Sequence, residues 1–448
     1  MRPLQPVPED AYFRAPTPGF FPGFASTDRL VAEQLLALAL TGAVMVRVFI
    51  SGAVLNSVYP YSDFGGTIVE KIHPGSYLLF LLFPLFLPWQ LSRPYVRRAV
   101  FANGILTGAV IAVGVASVWR GGATSAGFLI DATLIAPVAG LSILSLSRSH
   151  RRLLAVTVLV GLAINSAVVF AELALQRHLL PYSLTEEIFR PAGILGHPLL
   201  SGLSSAAAIP IFFAVFRSRL IKWSGALLMF ATCLACGART ASAVGAATFL
   251  LSAVASGMYA RPGGRFDPTE FVLTAVMLLL CLPLLLVLFL HSPTADRLAG
   301  GLMGDESVMS RISVYEALHF LSPDEFLFGV AYDHAQNILL EGVKLQRVES
   351  PIVSSVFMFG AVNTVLLGVG YLLFFTGLFR SCGRFAKIAI VAFVIVGLSN
   401  NTLTTKSPAL LLIAVLAVAT DEHARPGPRV GRRNRPHAVT CPTRAMRL

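Results

Sequence analysis

Residues 292–350 read SPTADRLAGGLMGDESVMSRISVYEALHFLSPDEFLFGVAYDHAQNILLEGVKLQRVES. This is the one long polar stretch in a chain otherwise built of apolar runs. The run 271–291 leads into it, and apolar character returns at Pro351. A loop of this length between packed elements is either functional or disordered. Helical periodicity, aromatics and charges of both signs predict a folded segment that supplies half of an active site.

The composition explains why the runs around it are membrane spans. Hydrophobic residues make up 55% of the 448 and charged residues 13%, and the mean hydropathy is +0.73. A soluble domain carries roughly 25% charged residues. The expected fold is therefore all-α: a polytopic integral membrane protein of about twelve transmembrane helices. One large periplasmic loop separates helices nine and ten. The spans are expected near 30–54, 75–91, 99–118, 127–145, 153–172, 198–216, 223–237, 240–259, 271–291, 356–379, 387–399 and 407–421. Five regions follow. Residues 1–28 are a proline-rich, disordered cytoplasmic tail. Residues 29–291 hold spans one to nine and 292–355 form the loop. Residues 356–421 hold the last three spans, and 422–448 form a basic cytoplasmic tail. No cleavable signal precedes the first apolar run, so that run is expected to remain as a membrane helix.

Basic residues set the orientation. With the N-terminus inside, 24 of the 35 Lys and Arg fall on the inner side and 10 on the outer, with Arg47 inside the first span. Every inner loop carries at least two over a short length. The expected location is the bacterial inner membrane, with both termini cytoplasmic and the long loop in the periplasm. The net charge of +12 thus follows from topology and the tail's contact with anionic lipid, and no motif supports nucleic-acid binding. Cys233 and Cys236 lie inside an apolar run with no second pair, which reads as buried thiols and not as a metal site.

Ionisable residues inside spans are costly and are examined for function first. Glu33 lies near the inner end of its span. Arg47 and Asp131 lie deeper and read as polar contacts between helices. Three outward arginines stand against the charge bias. Arg190 precedes the sixth span in FRPAGILGHP. Arg239 lies in the turn CGART. Arg311 opens RISVYEALHF, an expected amphipathic helix with Arg311, Tyr315 and Leu318 on one face and Pro323 beyond its end. Guanidinium binds phosphate oxygens in bidentate fashion, so three of them at one surface suit a pyrophosphate. The alternative use is headgroup contact and local ion pairing. The chain has no Walker A loop, no HExxH, no G-x-S-x-G and no paired-carboxylate site for a divalent cation. No cofactor and no metal are expected, so cations of the protein itself would stabilise a leaving pyrophosphate.

Four segments in order resemble the O-antigen ligase/polymerase superfamily of bacterial envelope proteins. They are FRPAGILGHPLLSG at 189–202, GARTA at 237–241, Arg311 with its helix through Leu321 followed by Leu327-Phe328-Gly329, and the segment 349–375 reaching Gly360. Twelve spans with the large loop after the ninth agree with that family. The resemblance implies metal-independent transfer of sugars from undecaprenyl pyrophosphate, with arginines on the pyrophosphate. It further implies membrane lipid, a flippase and a chain-length regulator as pathway partners. In the ligases a His-Asn pair in the loop activates the acceptor hydroxyl. Here Glu349 and Ser350 stand at that place, and the nearest histidine is His334. The expectation is a polymerase of exopolysaccharide, capsule or O-antigen repeat units, with Glu349 as base and His334 as its competitor. Ligation of a glycan to a lipid A core or other acceptor is the alternative within the family. A membrane transporter of a polysaccharide precursor is the alternative of another class, although the two halves show no similarity to each other. A non-catalytic scaffold would leave the outward arginines without a use.

The topology has a direct test. A reporter inserted in 300–305 is expected to behave as periplasmic, and one fused after Arg429 as cytoplasmic. Reversal of either result would undo the charge argument.

Overall fold

The computed structural model describes residues 26–62, 67, 69–91, 94–120, 123–182, 189–258, isolated positions between 268 and 290, 313–330, 332–343, 348 and 350–420. A helix occupies each expected span except 271–291, which lies mostly outside the described residues. The helices are α1 (Ser26–Phe49), α2 (Gly52–Asn56), α3 (Pro74–Leu91), α4 (Pro94–Trp119), α5 (Ala123–Phe128) and α6 (Ile135–Ser145). A π turn at Leu129–Leu134 joins α5 to α6. There follow α7 (Arg148–Leu175), α8 (Pro198–Val215), α9 (Arg219–Ala235), α10 (Arg239–Met258), α11 (Pro323–Phe328), α12 (Tyr332–Asn337), α13 (Pro351–Ser381), α14 (Arg384–Ser399) and α15 (Ala409–Ala419). Among the described residues six helical segments are long and apolar enough to cross a membrane: 31–49, 125–145, 148–175, 198–215, 239–257 and 351–381. Shorter apolar helices lie beside them at 74–87, 103–119 and 409–419. The molecule is a helical membrane protein.

Composition dictates which helices sit inside. Helix α15 reads ALLLIAVLAVA, apolar on every side, and is buried throughout, as a helix without a polar face must be. It packs on α6, which is also fully buried. Helix α8 starts PLLSGLSSAAA and is nearly all buried among α9, α10 and α14. Its small side chains let the neighbouring backbones come close. A β-carbon on Gly202 would lie 3.0 Å from that of Ala238. The outer faces are apolar too: Leu38, Leu81, Val365 and Leu372 are each at least two-thirds exposed. Side chains of this kind, arrayed along helix after helix, suit contact with lipid tails.

Taking α5 and α6 as one run, successive long helices alternate in direction. The end of the bundle where α1 finishes is called distal here, and the end where α1 begins proximal. Contacts between links far apart in sequence agree with this alternation. At the proximal end, Glu33 Oε1 accepts the Ser147 N–H (3.2 Å) that opens α7, and lies 3.4 Å from His150 Nδ1. At the distal end, Lys406 Nζ donates to the carbonyl of Tyr61 at 2.6 Å.

The described part of the long polar stretch is folded, with a small core of its own. Val314, Ala317, Ile338, Leu339, Val353 and Phe357 bury one another. Along 313–320, Val314 and Ala317 are buried, Leu318 packs beside them and Tyr315 is half exposed, and the segment tightens to a 3-10 turn at Ala317–Phe320. Arg311 itself lies outside the described residues. Pro323 opens α11 behind a Ser322/Glu325 capping box. Ser350 is extended, as a residue before proline must be, and α13 starts at Pro351, earlier than the expected 356.

Helix α13 is broken at Gly360, which has φ 81° and ψ 163°. The break receives the end of α11. Val330 N donates to Phe357 O at 2.9 Å, and a β-carbon at Gly360 would fall 2.3 Å from Leu327 O. Only glycine fits this backbone region and this space. Gly360→Ala is expected to lower stability by at least ~1–3 kcal/mol, read as a fall in the thermal midpoint in detergent. Gly368→Ala is the control, since its β-carbon would meet nothing within 4 Å. Equal midpoints for the two variants would show that the break does not hold α11.

Candidate functional site

Three linked groups of polar residues form the distal end. The first surrounds Asp131 on the π turn. Its Oδ2 accepts from Arg47 Nη2 of α1 at 3.1 Å and from the Tyr61 hydroxyl. Its Oδ1 accepts from the His73 N–H at 3.1 Å and from Ser76 Oγ at 2.5 Å. Arg47 also donates to the Asp131 carbonyl and to Ser76 Oγ, each at 3.0 Å. Both charged side chains are almost fully buried. The expected polar contact between helices is thus an ion pair, and a close one. The small Gly75 lets α3 reach it: a β-carbon there would fall 2.5 Å from the Arg47 backbone N.

Both ring nitrogens of His73 have an assignment. His73 Nδ1 accepts from the Gly75 N–H at 2.9 Å, so the proton sits on Nε2, which donates to Ile50 O at 2.9 Å. Burial, reinforced by Arg47, lowers the His73 pKa to about 4, which keeps the ring neutral. Burial also raises the Tyr61 phenol well above its ordinary pKa, so it stays a donor. Lys406 spans the carbonyls of Tyr61 and Lys71 at 2.6 and 3.2 Å and lies 4.7 Å from the Tyr61 ring centre. Burial lowers its pKa to about 8, against the pull of Asp131. A carboxylate with four donors and an imidazole with both nitrogens engaged are fixed parts, unsuited to proton transfer. This group holds the distal end together.

The second group braces the loop that follows Arg190. The segment FRPAGILGHP lies over the end of α7, where Glu172 and Asn165 are fully buried. Glu172 accepts the N–H groups of Leu179 (3.0 Å), Ala192 (2.8 Å) and Gly193 (2.9 Å). Asn165 Oδ1 accepts the Leu195 N–H at 3.1 Å. Ser201 Oγ donates to Ala192 O at 2.7 Å. Gly193 and Gly196 both have positive φ, 65° and 73°. Beside Gly196, His197 caps α8 through Nδ1, and Pro198 takes the first helical position. The Gly-His-Pro sequence is therefore a turn, a cap and a helix start. Arg190, half-buried, stands on this braced loop.

The third group is the turn at Arg239. Gly237 has φ 62°, Ser242 Oγ donates to Cys233 O at 3.0 Å, and Cys233 Sγ donates to Gly202 O at 3.4 Å. The turn is docked on the first coils of α8. Cys233 and Cys236 are free buried thiols, as expected. Arg239 opens α10, and Arg190 lies within electrostatic reach of Cys236, three residues earlier. The two arginines thus stand near the N-termini of α8 and α10, whose N–H groups and dipoles also favour an anion. The groups are joined, since a β-carbon on Gly196 would touch Ser51 at 2.6 Å, next to the Ile50 carbonyl that holds His73.

Of the expected base residues, Glu349 lies outside the described residues, as Arg311 does. His334 is half exposed, with Nε2 3.3 Å from Glu325 Oε1. Bonds from Ser322, and then the charge of His334, lower the Glu325 pKa. Glu325 is thus a partner of His334; the side chain of Asp333 lies outside the described residues. Neither Glu172 nor Asn165 stood out in the sequence, though a glutamate and an asparagine seven residues apart inside an apolar helix were the available signal. No family model and no curated protein matches the chain.

The Asp131 group has its own test. Asp131→Ala leaves Arg47 buried and unpaired and is expected to cost about 3–5 kcal/mol. The pair Arg47→Met with Asp131→Leu is expected to recover much of that loss, read by thermal unfolding in detergent. A double variant no better than the single one would show that Arg47 is not held by the charge of Asp131.

Proposed function

We propose that the protein is a membrane glycosyltransferase that polymerises undecaprenyl-pyrophosphate-linked repeat units of a bacterial surface polysaccharide. The orientation goes with it: the distal end is periplasmic and both tails are cytoplasmic. The observation that carries the reading is the bracing of the loop at 192–195 by Glu172 and Asn165, which fixes the backbone just after Arg190, beside Arg239 and two helix starts. A cation held in place before the substrate arrives stabilises a pyrophosphate without reorganising as charge develops. The acceptor hydroxyl attacks the anomeric carbon of the donor sugar, and the bond from that carbon to the pyrophosphate oxygen breaks. The pyrophosphate leaves with the electron pair, facing Arg190, Arg239 and Arg311. A base takes the hydroxyl proton. Glu349 is the base on this reading, from its place before Pro351. A ligase-like second reading has one observation in its favour: Glu325 is placed to orient the His334 ring, leaving Nδ1 to take the proton.

The assay is turnover of purified protein with a lipid-linked donor. Arg→Lys at 190, 239 and 311 keeps charge but loses the planar fork. Each is expected to lower activity about ten- to 150-fold. Full activity in all three at normal protein level would remove the bidentate site. Glu349→Gln is expected to bind donor and form almost no product, while His334→Ala keeps substantial turnover. The opposite pattern would assign the base to His334.

A further inference from the structure

A second site lies at the proximal end, and nothing in the proposed transfer uses it. A cavity of about 480 Å³ opens among the start of α7, the end of α8, the start of α14 and the end of α15. Arg148, Arg152, Arg217 and Arg384 surround it, and among the described residues no carboxylate belongs to its lining. The four come from three separate parts of the chain. A bias for topology requires basic residues on one side of the membrane, but it does not require them to converge on a cavity. Arg219 and Lys222 satisfy the bias without joining it.

The floor is apolar. Phe213 and Phe385 stack there with ring centres 5.9 Å apart, and the Arg384 guanidinium lies 5.0 Å from the Phe385 ring centre. Arg152 spends one donor on Val215 O at 3.1 Å, out of the five that a guanidinium carries. Leu153, next in sequence to the lining residue Arg152, is 59% exposed, so apolar outer surface of α7 adjoins the cavity. A cationic wall, an aromatic floor and adjoining apolar surface match a ligand with a phosphate at one end and acyl chains at the other. We infer that this cavity binds the phosphate headgroup of an anionic bilayer lipid. Basic pockets between helices on the cytoplasmic side take such headgroups, and the volume is in the range of small-ligand sites. Helix α7 runs about 1.5 Å per residue from Arg148 to Glu172, so the site lies across the bilayer from Arg190 and stands independently of the proposed transfer.

The test uses the full chain in nanodiscs of phosphatidylcholine, titrated with phosphatidylglycerol and followed by thermal midpoint and by native mass spectrometry. Phosphatidylglycerol is expected to be retained and to raise the midpoint. Arg217→Gln, at an exposed position, is expected to weaken retention about ten-fold, and Arg152→Gln similarly. Arg380→Gln, a proximal arginine outside the lining, is expected to leave it unchanged. Equal weakening by Arg380→Gln would mean diffuse surface charge and overturn the site. Saturation of the midpoint shift by inorganic phosphate or glycerol 3-phosphate would make it a site for free phosphate and overturn the lipid. Asp421 and Glu422 follow the lining residue Thr420 in sequence. Retention only in Asp421→Asn with Glu422→Gln would mean that the chain's own carboxylates occupy the arginines, which also overturns it.

Discussion

The structure depends on one buried carboxylate. An ionised Asp131 removed from water is costly by several kcal/mol unless its lone pairs are filled. The chain fills them with four donors from three places: Arg47 on α1, Tyr61 on the first link, and His73 and Ser76 at the start of α3. Each donor is held in turn. Gly75 presses α3 onto the Arg47 backbone, and Lys406 ties the Tyr61 carbonyl to the link before the last helix. A charge that cannot be left unsatisfied thus fixes how four parts of the chain meet at the distal end. The apolar faces of the helices provide most of the packing, but they slide over one another with little preference. Directional bonds in a medium of low dielectric remove that freedom.

The same device recurs at Glu172. Its three backbone N–H donors belong to the link between α7 and α8, which would otherwise be a loop at a helix end. The contact of Gly196 with Ser51 joins this brace to the Asp131 group, and Gly202 with Ala238 joins it to the Arg239 turn. Order passes from a buried acid to the backbone of the link, and the cost of orienting that link is met during folding.

The apolar runs made most helices legible in the sequence, because burial in lipid demands long uninterrupted apolar segments. The short link chemistry was legible in part: Pro323, Pro351 and Pro198 mark helix starts through their missing N–H. What could not be read was which polar residues meet. Arg47 and Asp131 are far apart in the chain, and each alone is merely a polar residue in a span. His73 looks like part of a linker, yet its two nitrogens are both engaged. The 3-10 turn at Ala317–Phe320 was not legible either, because a few apolar positions do not distinguish it from a continued α-helix. The long-loop residues proposed for chemistry, Arg311 and Glu349, draw their roles from the resemblance and from their residue types.

The two ends of the bundle also use their cations differently. Arg47 and Lys71 are about 1% exposed, and their charges, with that of Lys406, are spent on carbonyls and on Asp131. Arg148, Arg152, Arg217 and Arg384 instead stand exposed around an open cavity. Counting basic residues by side treats all of these alike. Only charges that face a membrane surface respond to its potential and to anionic lipid, so buried cations such as Lys71 and Arg151 weigh less than the count gives them. Lys406 takes this furthest: burial has lowered its pKa to about 8, and the carbonyls of Tyr61 and Lys71 hold its ammonium, so its charge serves the packing of the distal end and not its surface.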